Sequence, residues 1–339
     1  MAEPLLEVRN LVKHFPLPHT LLDAALRRPP ETVRAVDGVS FALTRGKTLG
    51  LVGESGCGKS TLGRCILRLH DADRGEVRFD GVDLMQLTEA DLVPYRKRVQ
   101  VVFQDPYSSL NPRQTIARTL LEVLNVHRIG SPKERVRRVA QLLTQVGLSP
   151  TDAHKYPGEF SGGQRQRIGI ARALAVEPEL LIADEPLSAL DVSIQAQILQ
   201  LLLDLRASLG LTMIFISHDL RVVRYLSDEV AVMYLGKIVE WAPTAELFAR
   251  PQHPYTIALL SAVPEVGGGR EEIPIEGEPP SAVRVPHGCR FHPRCPWKMD
   301  RCLQESPELK EILPGHAAAC HVAEARLTGG GQDMHSMVS

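Results

Sequence analysis

Short apolar runs recur along the chain, separated by polar stretches, and most of them are too short to form buried helices. Their length, their β-branched content and the turn residues around them predict strands. The predicted strands cover residues 6–15, 39–43, 48–52, 98–103, 180–184, 212–217 and 229–234.

Helical spacing, with apolar residues three and four positions apart, occurs between these strands. It is clearest across residues 111–160 and 188–208, and a shorter helix is predicted to end near residue 69. Strands that alternate with helices indicate an α/β fold with a mixed, mostly parallel sheet covered on both faces. The stretch of about 111–175 is predicted to be an inserted helical subdomain.

The composition is that of a folded globular protein and excludes some partners. Hydrophobic residues make up 44% of the 339 positions, and the formal net charge is -1, which gives no electrostatic reason to expect nucleic acid. The first 15 residues carry charges, and no stretch reaches about 18 uninterrupted apolar residues. We therefore expect no signal peptide and no membrane-spanning helix. This pattern predicts a protein kept in the cytoplasm, which docks on other subunits if it works at a membrane.

The composition changes beyond Pro251, where Pro and Gly become frequent and four of the six cysteines occur. This change predicts a main domain at residues 1–250 and a small C-terminal module at 251–327. The last residues, 328–339, are predicted to be a disordered tail. In a reducing compartment, these cysteines are expected to be thiols or metal ligands rather than disulfides.

A glycine-rich loop follows the predicted strand 48–52 and precedes a helix, which is the context of a phosphate-binding P-loop. Its residues are Gly53, Glu54, Ser55, Gly56, Cys57, Gly58, Lys59, Ser60 and Thr61. The glycines let backbone N–H groups surround the phosphates of ATP, and the helix directs its positive end at them. Lys59 is predicted to bind the β- and γ-phosphates, and Ser60 to bind Mg²⁺. The P-loop uses the backbone of Cys57 rather than its side chain, so we expect no reactive thiol at this position.

Two carboxylates end the apolar strand 180–184. Asp184 is predicted to hold Mg²⁺, directly or through water, at the ligand edge of the sheet. Glu185 is predicted to polarise the attacking water, because phosphoryl transfer depends on positioning more than on covalent chemistry. A structural alternative is that Glu185 only caps the next helix, since Pro186 suits a first-turn position.

A second anion site is predicted where another helix begins, at Ser161, Gly162, Gly163 and Gln164. A serine and two glycines at a helix start attract phosphate by the same dipole and N–H arrangement as the P-loop. One chain therefore carries two phosphate-binding helix starts, whereas one nucleotide has one triphosphate. The simplest interpretation is that this second site binds ATP held by another subunit.

These motifs, in this order, resemble the ATP-binding cassette (ABC) family over about residues 5–250, whose signature usually reads Leu-Ser-Gly-Gly-Gln. Phe160 stands here in place of the leucine. The resemblance implies that Gln104 contacts Mg²⁺ and that Asp191 lies at the dimer interface. It also implies that His218 contacts the γ-phosphate and that Phe15 stacks on adenine. Taken alone, a histidine after a strand or a glutamine before a turn is usually structural.

Segments 35–41, 52–63, 103–112 and 253–262 look like those of dipeptide and oligopeptide permease ATPases, especially the F-type subunit. This resemblance spans the whole chain. It implies ATP hydrolysis that drives peptide import, at the cytoplasmic face of a bacterial membrane. The implied partners are a homologous ATPase subunit, forming a head-to-tail heterodimer, two membrane permease subunits contacted near residues 107–112, and an extracytoplasmic peptide-binding protein.

Three alternatives remain for the function. Related importers carry nickel, sugars or other small solutes, and other relatives are soluble ABC proteins that act on DNA or ribosomes. The latter usually carry coiled-coil inserts or two cassettes, and this sequence has neither. A subunit that binds ATP without cleaving it is the remaining alternative, but such subunits typically lose residues equivalent to Glu185 or His218.

The C-terminal cysteines are Cys289, Cys295, Cys302 and Cys320. Four thiolates suit zinc or an iron–sulfur cluster, and spacing alone does not choose between them. The close cysteine pairs usual in zinc modules are missing. Resemblance to the peptide-permease tail favours a [4Fe–4S] cluster over zinc or four unliganded thiols. Its expected role is to hold a poorly cored segment together rather than to transfer electrons.

Overall fold

A computed structural model describes residues 3–18, 31–105, 109–262, 275 and 277–329. The described strands are β1 (Pro4–Pro16), β2 (Thr32–Thr44), β3 (Thr48–Val52), β4 (Arg74–Phe79), β5 (Val82–Asp83), β6 (Val99–Val102), β7 (Leu180–Asp184), β8 (Thr212–Ser217), β9 (Glu229–Tyr234), β10 (Lys237–Pro243), β11 (Lys310–Leu313) and β12 (His316–Ala318). The described helices are α1 (Lys59–Ile66), α2 (Glu89–Arg98), α3 (Ile116–Val126), α4 (Pro132–Gln145), α5 (Gly162–Leu174), α6 (Val192–Leu209), α7 (Leu220–Leu226), α8 (Thr244–Ala249), α9 (Pro254–Ser261), α10 (Asp300–Gln304) and α11 (His321–Gly329). Residues 330–339 of the predicted tail lie outside this description.

The chain divides into two compact units, and the first comprises Met1–Leu5, Leu43–Thr48 and Gln86–Ser217. Its strands β6, β7 and β8 are parallel neighbours, with Leu180 paired to both Val99 and Thr212. Every residue of β7 and β8 is buried. Continuous apolar strands of this kind are typical of parallel sheets covered by helices, and both strands have the predicted limits.

The predicted helical stretch 111–160 is helical in the first unit. Helix α3 is capped by the Thr115 side chain, and α4 begins with a capping box formed by Ser131 and Glu134. Two short 3₁₀ turns follow, at Pro150–His154 and Pro157–Glu159. Buried leucines on α3 and α4 give the segment its own apolar interior. The limits 111–175 for a subdomain stay a prediction.

The second unit comprises Leu6–Ala42, Leu49–Met85 and His218–Ser339. One of its sheets has the strand order β2-β1-β4-β5, and β4 pairs antiparallel with both β1 and β5. This sheet was not predicted, because β4 and β5 are short and carry several charged residues, so they give little apolar signal. In the other sheet, β3 and β9 are parallel, with Leu51 opposite Ala231.

The C-terminal segment extends this second sheet through a hairpin. Strand β12 pairs antiparallel with β10, with Trp241 opposite Ala317, and β11 pairs with β12. Glu240 of β10, which is fully buried, accepts hydrogen bonds from the backbone N–H groups of Gln252 (2.6 Å) and His253 (3.0 Å). Nε2 of His316 lies 2.7 Å from the same carboxylate. The cysteine-bearing segment is therefore tied to the sheet of its own unit.

None of the described helices is long and apolar enough to cross a membrane.

Candidate functional site

The predicted P-loop lies in the second unit, between β3 and α1. Gly53 and Gly58 have φ angles of 152° and 110°, which favour glycine. A Cβ at Gly53 would lie 2.1 Å from the carbonyl oxygen of Met233, and one at Gly58 would lie 1.9 Å from that of Ala35. The backbone is thus packed so closely that both positions require glycine, as expected of a loop whose main chain wraps a ligand.

Lys59 is buried inside this loop. Its Nζ donates hydrogen bonds to the carbonyl oxygens of Gly53 (2.7 Å) and Glu54 (3.0 Å), so the ammonium group lies within the curve of the P-loop. The thiol of Cys57 is 3.9 Å from Nζ, and burial raises its pKa. A thiol that stays protonated at neutral pH agrees with a backbone role for Cys57.

Two side chains that the sequence did not indicate hold Glu54 of the P-loop. The hydroxyl of Tyr255 accepts a hydrogen bond from the Glu54 backbone N–H (2.8 Å). The guanidinium of Arg294 donates to both carboxylate oxygens, at 2.9 and 3.1 Å. Sequence motifs record only neighbours along the chain, and Arg294 lies 240 positions from Glu54.

In the first unit, the predicted acidic pair lies where β7 ends. Asp184 is buried, and Glu185 has a φ of 46°. The backbone N–H of Glu185 donates a hydrogen bond to the carbonyl oxygen of Ile216 (3.0 Å). Nε2 of Gln104 donates to Oε2 of Glu185 at 3.1 Å, so the structure brings these two predicted residues together. The helix-capping alternative for Glu185 is wrong, because the next helix, α6, begins at Val192 after Asp191.

The predicted signature lies where α5 begins. Ser161 caps the helix by accepting from the Gln164 backbone N–H, and Gln164 accepts in return from the Ser161 N–H (3.0 Å). A Cβ on Gly163 would lie 2.3 Å from Cγ2 of Ile194, whereas one on Gly162 would have room. The second glycine therefore lets α5 approach α6, whose first residues follow Asp191. The signature and the predicted interface loop are neighbours in this unit.

His218 and Phe15 lie in the second unit. His218 is exposed and precedes Asp219, which caps α7. Burial alone would raise the pKa of Asp219. Hydrogen bonds from Arg221 outweigh this effect and lower the pKa, and the electrostatic interaction with His218 lowers it further. Phe15 is half-buried, with His70 against its ring edge at 5.5 Å and the Lys13 ammonium 5.2 Å from its centre. The γ-phosphate and adenine roles stay predictions.

The four C-terminal cysteines, all within the described residues, are free thiols. The structure does not support the predicted metal module as an ion site. Among the residues described, no group of three or more His, Cys, Asp or Glu side chains could hold a metal ion. Zinc in particular needs several sulfurs about 2.3 Å from one point.

Burial and neighbouring thiols raise the pKa of three of these four cysteines. Burial raises the pKa of Cys289, and the thiol of Cys302 adds to the rise. Burial also raises the pKa of Cys295 to about 11, with contributions from Cys289 and Cys302. The pKa of Cys320 rises to about 12 for the same reason, with contributions from Cys289 and Cys295. Deprotonating these thiols therefore needs a nearby positive charge.

Comparison with protein families matches two regions of the chain. Residues 36–188 match the model described as "ABC transporter", and residues 239–302 match "Oligopeptide/dipeptide transporter, C-terminal region". The first match includes the P-loop, Gln104, the signature and the acidic pair. The second includes Cys289, Cys295 and Cys302.

Individual proteins are similar over nearly the whole chain. The oligopeptide transport ATP-binding protein AppF of Bacillus subtilis is 51% identical, over 94% of this chain and 98% of that protein. A probable peptide ABC transporter ATP-binding protein of Sinorhizobium fredii is 52% identical, over 95% and 91%. Among solved structures, a dimeric ATP-binding cassette in a post-hydrolysis state with ADP and Pi has a TM-score of 0.62 and 28% identity, over 70% of this chain and 98% of that one.

Proposed function

This chain belongs to the ABC transporter family of ATP-binding subunits, and from that membership we propose that it hydrolyses ATP to energise the import of dipeptides or oligopeptides. The identity of 51% with an oligopeptide transport ATP-binding protein carries the proposal. Both family matches and the intact set of motifs support it. Import of nickel or another small solute, or a soluble non-transport role, has no comparable support.

We propose that ATP and Mg²⁺ are bound through the P-loop and the acidic strand end. Lys59 neutralises the β- and γ-phosphates, and the N–H groups of residues 53–61 surround them. A hydroxyl, an amide oxygen and a carboxylate are hard oxygen ligands that suit Mg²⁺, and Ser60, Gln104 and Asp184 supply them. When bound, the ion neutralises phosphate charge.

Hydrolysis is assigned to Glu185 and His218. The Glu185 carboxylate orients the attacking water and accepts its proton, while Gln104 donates a hydrogen bond that fixes one carboxylate oxygen (3.1 Å). His218 contacts the γ-phosphate, and Phe15 stacks on the adenine. These roles follow the family motifs.

The ATP site is proposed to be completed by a second ATPase subunit. The N-terminal end of α5, with Ser161, Gly162, Gly163 and Gln164, provides the donors for the γ-phosphate of ATP on that subunit. Asp191 lies at the same interface. The dimeric arrangement of a similar cassette supports this proposal. The second subunit is proposed to be a homologue, in a head-to-tail heterodimer, as the permease resemblance implies.

The membrane partners are proposed to be two permease subunits, with an extracytoplasmic binding protein delivering the peptide. The chain would then lie peripherally on the cytoplasmic face. A groove of about 460 Å³ in the first unit supports a docking place, and Asn111, Gln114, Glu122, Val126 and His127 are among its lining residues. It adjoins the predicted contact segment 107–112, of which residues 107 and 108 lie outside the described part of the chain. No nucleic acid partner is expected.

We also propose the finer organisation of the chain. Residues 1–250 form the ABC domain and 251–327 the C-terminal module. The tail was predicted to be disordered from residue 328, but α11 continues to Gly329, so the proposed disorder is restricted to 330–339. The module is proposed to hold a [4Fe–4S] cluster through Cys289, Cys295, Cys302 and Cys320. Cys289, Cys295 and Cys320 have raised pKa values, and such thiols suit a group whose positive iron would keep thiolates deprotonated.

Protein purified without oxygen is therefore expected to be brown, with visible absorption and a Mössbauer spectrum typical of a [4Fe–4S] cluster. Cys302→Ser is expected to lose most of the iron and sulfide, because the cluster loses one ligand. Cys65→Ala is the matched control, since Cys65 is a buried thiol on α1. A colourless protein with stoichiometric zinc, or with no metal, contradicts the cluster.

The function itself is tested on the complex that co-purifies with this chain. We expect two membrane subunits and a homologous ATPase, and ATP-dependent uptake of labelled peptides after reconstitution in vesicles with the binding protein. A complex that hydrolyses ATP and takes up nickel but no peptide contradicts the peptide assignment. Co-purification with ribosomes or DNA in place of membrane subunits contradicts the transport role.

A further inference from the structure

Glu54 of the P-loop is fixed by an ion pair with a residue of the cysteine-bearing segment. Arg294, whose side chain is 7% exposed, donates from both terminal nitrogens to the two carboxylate oxygens of Glu54. Bidentate pairs of this kind are geometrically specific and stronger than neutral hydrogen bonds. The Tyr234 hydroxyl lies 3.4 Å from the same guanidinium.

The backbone of Glu54 is fixed separately, by Tyr255 at the start of α9. The Tyr255 side chain is fully buried, and its hydroxyl accepts from the Glu54 N–H at 2.8 Å. Burial raises the pKa of Tyr255, so the hydroxyl stays protonated. The P-loop is thus held at one residue through both its main chain and its side chain.

Three aromatic rings anchor these contacts. The ring centres of Tyr234 and Tyr255 are 4.7 Å apart, and that of Phe291 lies 5.3 and 5.4 Å from them. Phe291 and Arg294 both belong to the segment between Cys289 and Cys295. The same short segment therefore supplies one wall of the aromatic cluster and the cation that pairs with Glu54.

We propose that Arg294 and Tyr255 are positioning residues that hold the P-loop ready for nucleotide, so that ATP affinity depends on the segment 289–295. Two physical effects contribute. A loop fixed before binding loses less conformational freedom when it surrounds the phosphates. Arg294 also neutralises a carboxylate in the phosphate loop, which would otherwise repel the triphosphate. The inference rests on the proposed binding of ATP by this loop.

The proposal is tested by Mg–ATP affinity, measured by displacement of a fluorescent ATP analogue from the purified full-length chain. Arg294→Ala is expected to raise the Kd about tenfold, because a charged hydrogen-bonding partner is lost and the Glu54 charge is exposed. Tyr255→Phe keeps the ring and is expected to raise the Kd about threefold. The matched controls are Arg301→Ala, half-exposed on α10, and Tyr225→Phe, exposed on α7.

Neutralising Glu54 separates positioning from a general structural role. If Arg294 acts through Glu54, Glu54→Gln in the Arg294→Ala background is expected to restore the part of the affinity that is lost to repulsion by the unpaired carboxylate. A general loss of stability would leave the affinity low and would lower the melting temperature of the nucleotide-free chain. If Arg294→Ala does not fold, the Mg–ATP affinities of Arg294→Gln and Tyr255→Phe test the proposal instead.

The outcomes distinguish this inference from the proposed function. A wild-type chain that binds ATP, with Arg294→Ala and Tyr255→Phe binding equally well, overturns the inference and leaves the function intact. Weak binding by Arg294→Ala that Glu54→Gln does not improve also overturns it. A folded wild-type chain that does not bind ATP contradicts the proposed function itself.

Discussion

Replacing Glu185 with glutamine is expected to lower ATP turnover by about 10²- to 10⁴-fold, the usual contribution of a general base. Glutamine has nearly the same shape and keeps an oxygen to accept the hydrogen bond from Gln104, so the loop geometry is retained. It cannot accept a proton from the attacking water. ATP is still bound, and the variant should therefore accumulate as an ATP-bound dimer. Phosphate release by the assembled complex is the measurement.

Glu89→Gln is a matched control for this experiment. Glu89 lies at the start of α2 with a side chain 75% exposed, and its surface ion pair with Arg96 contributes little to stability. ATP turnover by Glu89→Gln should therefore equal that of the wild type. Normal hydrolysis by Glu185→Gln shows that the catalytic assignment is wrong.

Lys59→Ala is expected to raise the Kd for Mg–ATP about 10- to 100-fold, because charge-assisted hydrogen bonds to the phosphates are lost. The substitution also removes the ammonium group from the carbonyl oxygens of Gly53 and Glu54. Isothermal titration calorimetry on the full-length chain measures the effect. Lys133→Ala, on the exposed first turn of α4, should bind ATP like the wild type. Unchanged affinity in Lys59→Ala contradicts the phosphate-binding role.

Strands whose residues are all or nearly all buried are the ones that the sequence predicts best. β7 and β8 have the predicted limits because an uninterrupted apolar run ends where the chain leaves the sheet. Helix α6 was predicted from residue 188, but it begins at Val192. The intervening residues form a turn in which Ser188 donates to the carbonyl oxygen of Glu185, and local polar contacts of this kind are hard to anticipate.

The candidate site was predictable where chemistry constrains neighbouring residues. The P-loop needs glycine at 53 and 58 for steric reasons that the structure makes explicit. The family resemblance assigned Gln104 and Glu185 separate roles in ATP binding and hydrolysis, and their hydrogen bond is a finding of the structure. The contact between Glu54 and Arg294 was not predictable, because the pair is distant in sequence and neither residue stands in a repeating pattern. The antiparallel sheet was missed because its short strands are partly polar.

The structure of the C-terminal segment was likewise difficult to predict from the sequence. Composition predicts that this segment is a separate module, but it does not reveal the pairing of β12 with β10, which depends on buried contacts such as that of His316 with Glu240. A proline- and glycine-rich stretch gives no periodic signal for such pairing. Four cysteines indicate a ligand set, yet their spacing alone leaves the ligand open.

A second ATPase subunit is proposed to complete the ATP site through the helix start at Ser161. Sedimentation of Glu185→Gln, mixed with the homologous subunit that co-purifies with it, tests this most directly. Mg–ATP is expected to convert the 37.4-kDa chain into a dimer. Ser161→Glu in this chain, combined with the equivalent change in the signature of the homologous subunit, should prevent dimer formation because the new carboxylates repel the phosphates. Each P-loop should still bind ATP. If the wild-type chain binds and hydrolyses ATP while remaining a single subunit throughout, a second subunit is not needed to complete the ATP site.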